Sequence, residues 1–158
     1  MRIIGIDPGT GIMGFGIIEA DKNGKCVLVD GGVIRTPAKE DDAERLGIIF
    51  EEICDIIAET KPTEMAVEKL FFAQNVTTAI TVAQARGVAI VAGKQAGLKI
   101  AEYTPLQIKQ ALTGYGRAEK KQMQEMVRVI LGLKDVPQPD DCADALACAI
   151  THAHSFGN

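Results

Sequence analysis

Tryptophan is absent from this sequence of 158 residues, histidine occurs twice and cysteine four times. Each scarcity excludes something. Cys26, Cys54, Cys142 and Cys148 lack the paired spacing of metal ligands, and His152 and His154 form no cluster with them, so a zinc site is not expected. The two histidines, close to the C-terminus, read as surface residues. No uninterrupted apolar stretch is long enough to span a bilayer. The start, one Arg and then a strand-like run, has no long apolar core or small-residue cleavage site, so no secretory signal is expected. Without export a disulfide framework is not expected either, which leaves a cytoplasmic protein with reduced, buried thiols.

Lys and Arg are missing from residues 135–158, which hold four Asp. The net charge is −4, but it is unevenly spread. Residues 1–85 carry 8 basic and 14 acidic side chains, whereas residues 86–134 carry 9 basic and 3 acidic ones. A basic block inside an acidic protein is a candidate surface for a phosphate backbone, although solvated helix faces give the same count. The remaining composition, 47% hydrophobic and 24% charged, is that of a globular protein. The length fits one domain over residues 1–158 with a sizeable core.

The first sixteen residues organise the chain. Ile3-Ile4-Gly5-Ile6 ends in Asp7, the turn Pro8-Gly9-Thr10-Gly11 follows, and a second apolar run covers Ile12 to Ile18. This reads as a β-hairpin. Asn23-Gly24 introduces a third strand, Lys25 to Arg35. Leu46, Ile49, Ile53 and Ile57 recur at helical period between Asp41 and Lys61, and Pro62 closes that helix. Short strands are expected at Glu64 to Glu68 and Lys99 to Tyr103, separated by a long Ala-rich helix from Thr77 to Gly97. Further helices are expected from Pro105 to Leu112, Ala118 to Leu131 and Asp140 to about His154. Three antiparallel strands followed by alternating strands and helices indicate an α/β domain. Its sheet should be mixed and five-stranded, with helices on both faces.

Acids stand at the ends of apolar elements. Asp7 ends the first strand and Glu68 the fourth; Asp141 and Asp144, three apart, share one face of the last helix. Asp7 before Pro-Gly is also ordinary turn chemistry. Asp140 and Asp141 are also suited to capping a helix start. Capping accounts poorly for Asp144, which sits among Ala, Leu, Cys and Ile and needs a partner if buried. Carboxylates that converge repel one another unless a hard cation joins them. Mg²⁺ takes such oxygen ligands together with substrate phosphate, and two ions about 4 Å apart suit phosphodiester cleavage.

These motifs, taken in order, resemble a known family. IDPGTG, VEKLFF, QARGVAI, QIKQALTGYGRAEKKQM and DDCADALACAITHAH look like the RuvC family of Holliday-junction resolvases, from residue 1 to about 154. The resemblance implies a ribonuclease H-like fold, a homodimer, and Mg²⁺-dependent paired nicking of four-way DNA junctions, with Mn²⁺ able to substitute and two ions per site. It also implies cooperation with a branch-migration helicase complex. It places the four catalytic and metal-binding acids on Asp7, Glu68, Asp141 and Asp144. Two adjacent Asp stand where the family more often has one after a small residue; the spacing to Asp144 assigns Asp141 and leaves Asp140 as a capping acid. The resemblance makes Phe71 an exposed aromatic that stacks on an unpaired base, and Lys109 and Lys120 substrate-side lysines. Arg117 and Lys121 join them as DNA-binding candidates on electrostatic grounds. The long helix either buries itself in its own domain or pairs with a second copy through Ala85, Gly87, Ala89 and Gly93.

Three other readings stay open at this level. IDPGTG also resembles the first phosphate loop of actin-like sugar kinases and ATPases, but no second phosphate loop is evident. The acids could be structural in a non-catalytic binding module. The chain could also be a ribonuclease H-like nuclease acting on other branched or hybrid nucleic acids.

Overall fold

The structure, a computed structural model, describes residues 1–69 and 76–156. Its strands are β1 (Arg2–Asp7), β2 (Ile12–Ala20), β3 (Cys26–Arg35), β4 (Glu64–Glu68) and β5 (Lys99–Tyr103). Its helices are α1 (Asp42–Thr60), α2 (Val76–Gln95), α3 (Pro105–Thr113), α4 (Lys120–Ile130) and α5 (Asp140–Ser155). The sheet runs β3-β2-β1-β4-β5. β1 pairs antiparallel with β2 and β2 with β3, whereas β1–β4 and β4–β5 are parallel. This is the expected mixed five-stranded sheet.

Alternation along the strands assigns the two faces. Ile4 and Ile6 of β1, with Met65 and Val67 of β4, pack against Ile49, Ile53 and Ile57 of α1 and Ala85, Ala89 and Ala92 of α2. Ile3 and Ala66 face the other way, into a core built with α3, α4 and α5. By the same period Asp7 and Glu68 point to the α5 side. Burying one such Ile side chain is worth about 1.5–3 kcal/mol, so register is strongly specified here and the facing of the two acids with it.

α5 lies unusually close to the sheet, because β1 and β2 present glycines beneath it. A Cβ at Gly5 would overlap the carbonyl oxygen of Ala145, and one at Gly14 the carbonyl oxygen of Asp141. The run from Cys142 to Ala153 is consequently buried except at Asp144.

Several expectations are corrected. α4 begins at Lys120 rather than Ala118, because Glu119 caps it with Gln122 in a reciprocal box. His152 is a core residue with 3% of its surface exposed, not a surface one. Its Nε2 lies 2.6 Å from Glu64 Oε2, and its Nδ1 lies 2.7 Å from the Tyr103 hydroxyl. α2 is long and apolar enough on average to cross a bilayer, although Thr, Gln, Arg86 and Lys94 interrupt its apolar run. Core helices satisfy the same criterion, and α2 lays Ala85, Ala89, Ala92 and Gly93 into the protein's interior. The four cysteines are free thiols, as expected.

Candidate active site

Asp7 is delivered by the last position of β1, and Glu68 by the last position of the neighbouring parallel strand β4. The two carboxyl groups share a hydrogen bond. α5 crosses above them and brings Asp141 and Asp144 from its first turns. Burial, then the charges of Glu68, Asp144 and Asp141, push the Asp7 carboxyl from its ordinary 3.8 up to about 8. Burial, then Asp144, raises Glu68, against the hydrogen bond from Asp7 and the charges of Lys109 and Lys120. Asp144 is raised as well, by burial, against the pull of Lys120. Three acids whose charged forms are penalised first by burial and then by neighbouring carboxylates mark a functional-site candidate rather than a stabilising feature.

The cleft is about 270 Å³ and is lined by Glu68, Pro105, Ile108, Lys109, Lys120, Met123, Asp144 and Ala147. A larger one, about 410 Å³, lies at the opposite end of the sheet around Met1, Asn23 and His154. It holds none of the convergent acids, and the chemistry points to the smaller cleft.

Lys120 Nζ reaches 3.3 Å from Asp140 Oδ2 and 3.6 Å from Asp144 Oδ2. Burial works against its charge, but Asp144 and Asp140 outweigh this and raise the ammonium. Asp140 therefore makes no side-chain cap on α5, whose N-cap is Pro139; it engages a lysine instead.

Of the sequence-predicted residues, Asp7, Glu68, Asp141 and Asp144 come together, and Lys109 and Lys120 line the same cleft. Arg117 is exposed on the α3–α4 connection. Lys121 lines a separate groove with Leu112, Thr113, Gln122, Glu125 and Met126. Phe71 lies outside the described residues.

The donor set fits a hard divalent cation. All the converging groups are carboxylate oxygens, and they already draw an ammonium to their rim. Among the described residues no three His, Cys, Asp or Glu side chains form a ready-made metal cage. Mg²⁺ does not need one, since it keeps waters and takes substrate phosphate as ligands.

Sequence reasoning missed three contributors. Gly5 and Gly14 set how deeply α5 sits, signalled only by glycine inside strand patterns. Arg86 of α2 reaches the Glu68 backbone, signalled by a charge near the middle of an otherwise apolar helix.

The family model described as crossover junction endodeoxyribonuclease RuvC matches residues 3–152. The chain belongs to the RuvC family. A RuvC from Desulfitobacterium hafniense is 57% identical over 155 residues, covering 98% of this chain and 93% of its own. The structure of Thermus thermophilus RuvC in complex with a Holliday junction substrate superposes with a TM-score of 0.94 at 39% identity, covering 99% of this chain and 95% of that one. The yeast mitochondrial Holliday junction resolvase Ydc2, at 14% identity over 96% of this chain and 77% of that one, shares the fold with a TM-score of 0.70. Membership of RuvC excludes the sugar-kinase reading and makes the protein a metal-dependent crossover junction endodeoxyribonuclease.

Proposed function

We propose that this protein resolves four-way DNA junctions by nicking opposing strands symmetrically, with Asp7, Glu68, Asp141 and Asp144 as the catalytic, metal-holding acids. One observation carries the reading: Asp7 and Glu68 end parallel neighbouring strands under α5, and their carboxyls are raised by burial and by the charge of Asp144, with Glu68 raising Asp7 further, beside two lysines. These acids would hold Mg²⁺, two ions per site and replaceable by Mn²⁺, whose Lewis acidity would activate a water and favour departure of the leaving oxygen.

The chain's own groups do the rest. The four carboxylates hold and orient the cations. Lys109 and Lys120 neutralise phosphates at the cleft. Lys120 also pairs with Asp140 and Asp144, which keeps its ammonium beside the acids. Arg117 and Lys121 extend the basic surface along the arms. Phe71, three residues beyond Glu68, stacks on a base unpaired at the crossover, a contact worth about 1–3 kcal/mol.

Residues 1–158 act as one nuclease domain in the cytoplasm, and two copies act together, because a four-way junction is itself two-fold. The apolar groove of Leu46, Gly47, Phe50, Gln84, Gly87, Val88 and Val91, between α1 and α2, supports the pairing. A branch-migration helicase complex is the expected partner in recombination and repair.

The deciding assay is nicking of a synthetic four-way junction with Mg²⁺ or Mn²⁺. Paired symmetric nicks are expected, and an unnicked junction that stays bound would leave only a binding module. Phe71→Ala should melt like the parent, nick intact junctions slowly, and recover on junctions carrying unpaired crossover bases. Equal losses on both substrates would remove its stacking role.

A further inference from the structure

α2 is apolar along most of its length, yet it carries Arg86 near its middle with only 19% of the side chain exposed. A half-buried guanidinium persists only where its donors are used. Here Nε–H donates to the backbone carbonyl of Glu68 at 3.1 Å, and Nη2 pairs with Glu102 Oε2 of β5 at 2.9 Å. The first acceptor belongs to a residue of the proposed metal site. The β1–β4 register ends at Ile6↔Val67, one residue before Glu68. β4 thus reaches its last residue paired with Tyr103 of β5 on one side but without a β1 partner on the other, and the Glu68 carbonyl finds its donor on α2.

We propose that Arg86 is a positioning residue for Glu68: its fork fixes the peptide at the end of β4, and so the direction in which the Glu68 carboxylate leaves the strand. This rests on the reading of Glu68 as a ligand. Arg suits the task because its planar fork serves a carbonyl and a carboxylate together, whereas a lysine ammonium has no such geometry. Partners that orient ligands in this way tune metal sites without touching the metal.

Three variants of the full chain test the idea: Arg86→Gln, Arg86→Lys and Glu102→Gln. The readouts are single-turnover nicking against Mg²⁺ concentration, the Mg²⁺-induced rise in melting temperature, and junction binding without divalent cation. Arg86→Gln should lower the nicking rate about 10–100-fold, the range typical of such partners. It should also raise the Mg²⁺ midpoint and shrink the Mg²⁺-induced melting shift, while junction binding stays parental. Arg86→Lys should recover part of the rate. Glu102→Gln keeps the carbonyl contact and should keep the parental Mg²⁺ midpoint.

A parental Mg²⁺ midpoint in Arg86→Gln overturns the proposal, whatever its melting temperature. So does a parallel loss of nicking and junction binding, which is how a merely structural arginine behaves, or a Glu102→Gln defect equal to that of Arg86→Gln. If the parent itself fails to nick, the functional reading falls, and the Mg²⁺-induced melting shift still decides Arg86.

Discussion

Burial and three neighbouring carboxylates hold a proton on Asp7 up to about pH 8, where an ordinary aspartate loses it near 3.8. The folded metal-free protein therefore binds more protons than the unfolded chain between these values. Its stability is greatest below the unfolded value and falls as pH rises toward 8, by up to about 1.4 kcal/mol per unit. Asp7→Asn should flatten this dependence, melting higher than the parent at pH 8 without metal, while nicking is abolished. Thermal melts from pH 5 to 9 with EDTA measure it, and added Mg²⁺ should restore the parent but not the variant. Asp140 and Asp144 provide the internal contrast. Both touch Lys120, but only Asp144 acts on the Glu68 carboxyl and on Asp7. Asp144→Asn should lose nicking while still binding junctions. Asp140→Asn should keep most of its rate, giving up at most a helix-end contribution of about 0.3–1 kcal/mol.

At the scale of elements, the position of α5 decides whether the acids meet. The sequence made the element ends legible: Asp7 and Glu68 fall at the last residues of β1 and β4, where apolar strand runs stop. The spacing of Asp141 and Asp144 placed them on one helix face. It did not show how close α5 comes, since periodicity reports a face and not a distance. That distance depends on Gly5 and Gly14, whose missing side chains look in sequence like weak strand positions. His152 was illegible for a related reason. Its partner Glu64 is 88 residues away, and nothing local distinguishes a buried imidazole from an exposed one near a chain end. Asp140 was misread as a cap because its lysine comes from α4, twenty residues earlier. Gly5→Ala should push α5 outward against the Ala145 carbonyl. Overpacking of this sort costs about 1–3 kcal/mol, or more where backbone is hit. The expected result is a lower melting temperature and a nicking rate reduced beyond what the unfolded fraction explains. Ala66→Gly, on the neighbouring strand, should cost stability without that excess loss of rate.

Across the whole molecule, an acidic protein of net charge −4 must hold a polyanion on one side. The basic residues between 86 and 134 make this feasible, but they are not equivalent. Lys109 and Lys120 line the cleft with Glu68 and Asp144, whereas Lys121 opens onto another groove and Arg117 is exposed on a loop. Phosphate contacts anywhere on the DNA path contribute to affinity and to its salt dependence. On the proposed reading, only contacts at the cleft also place the phosphate that is cut. Lys109→Ala should therefore do two things. It should flatten the slope of log affinity against log salt by about 0.9, the loss of one phosphate contact. It should also slow nicking when junction is saturating. Arg117→Ala and Lys121→Ala should flatten the slope similarly but leave the saturated rate near parental. Titrations from about 50 to about 300 mM salt, paired with single-turnover rates at excess enzyme, separate the two effects, since binding is read over a roughly sixfold change in salt. If Lys121→Ala slowed saturated nicking as much as Lys109→Ala, the scissile phosphate would have to lie along α4 rather than between α3 and α5. If neither cleft lysine changed the slope, the DNA would enter from another face of the protein.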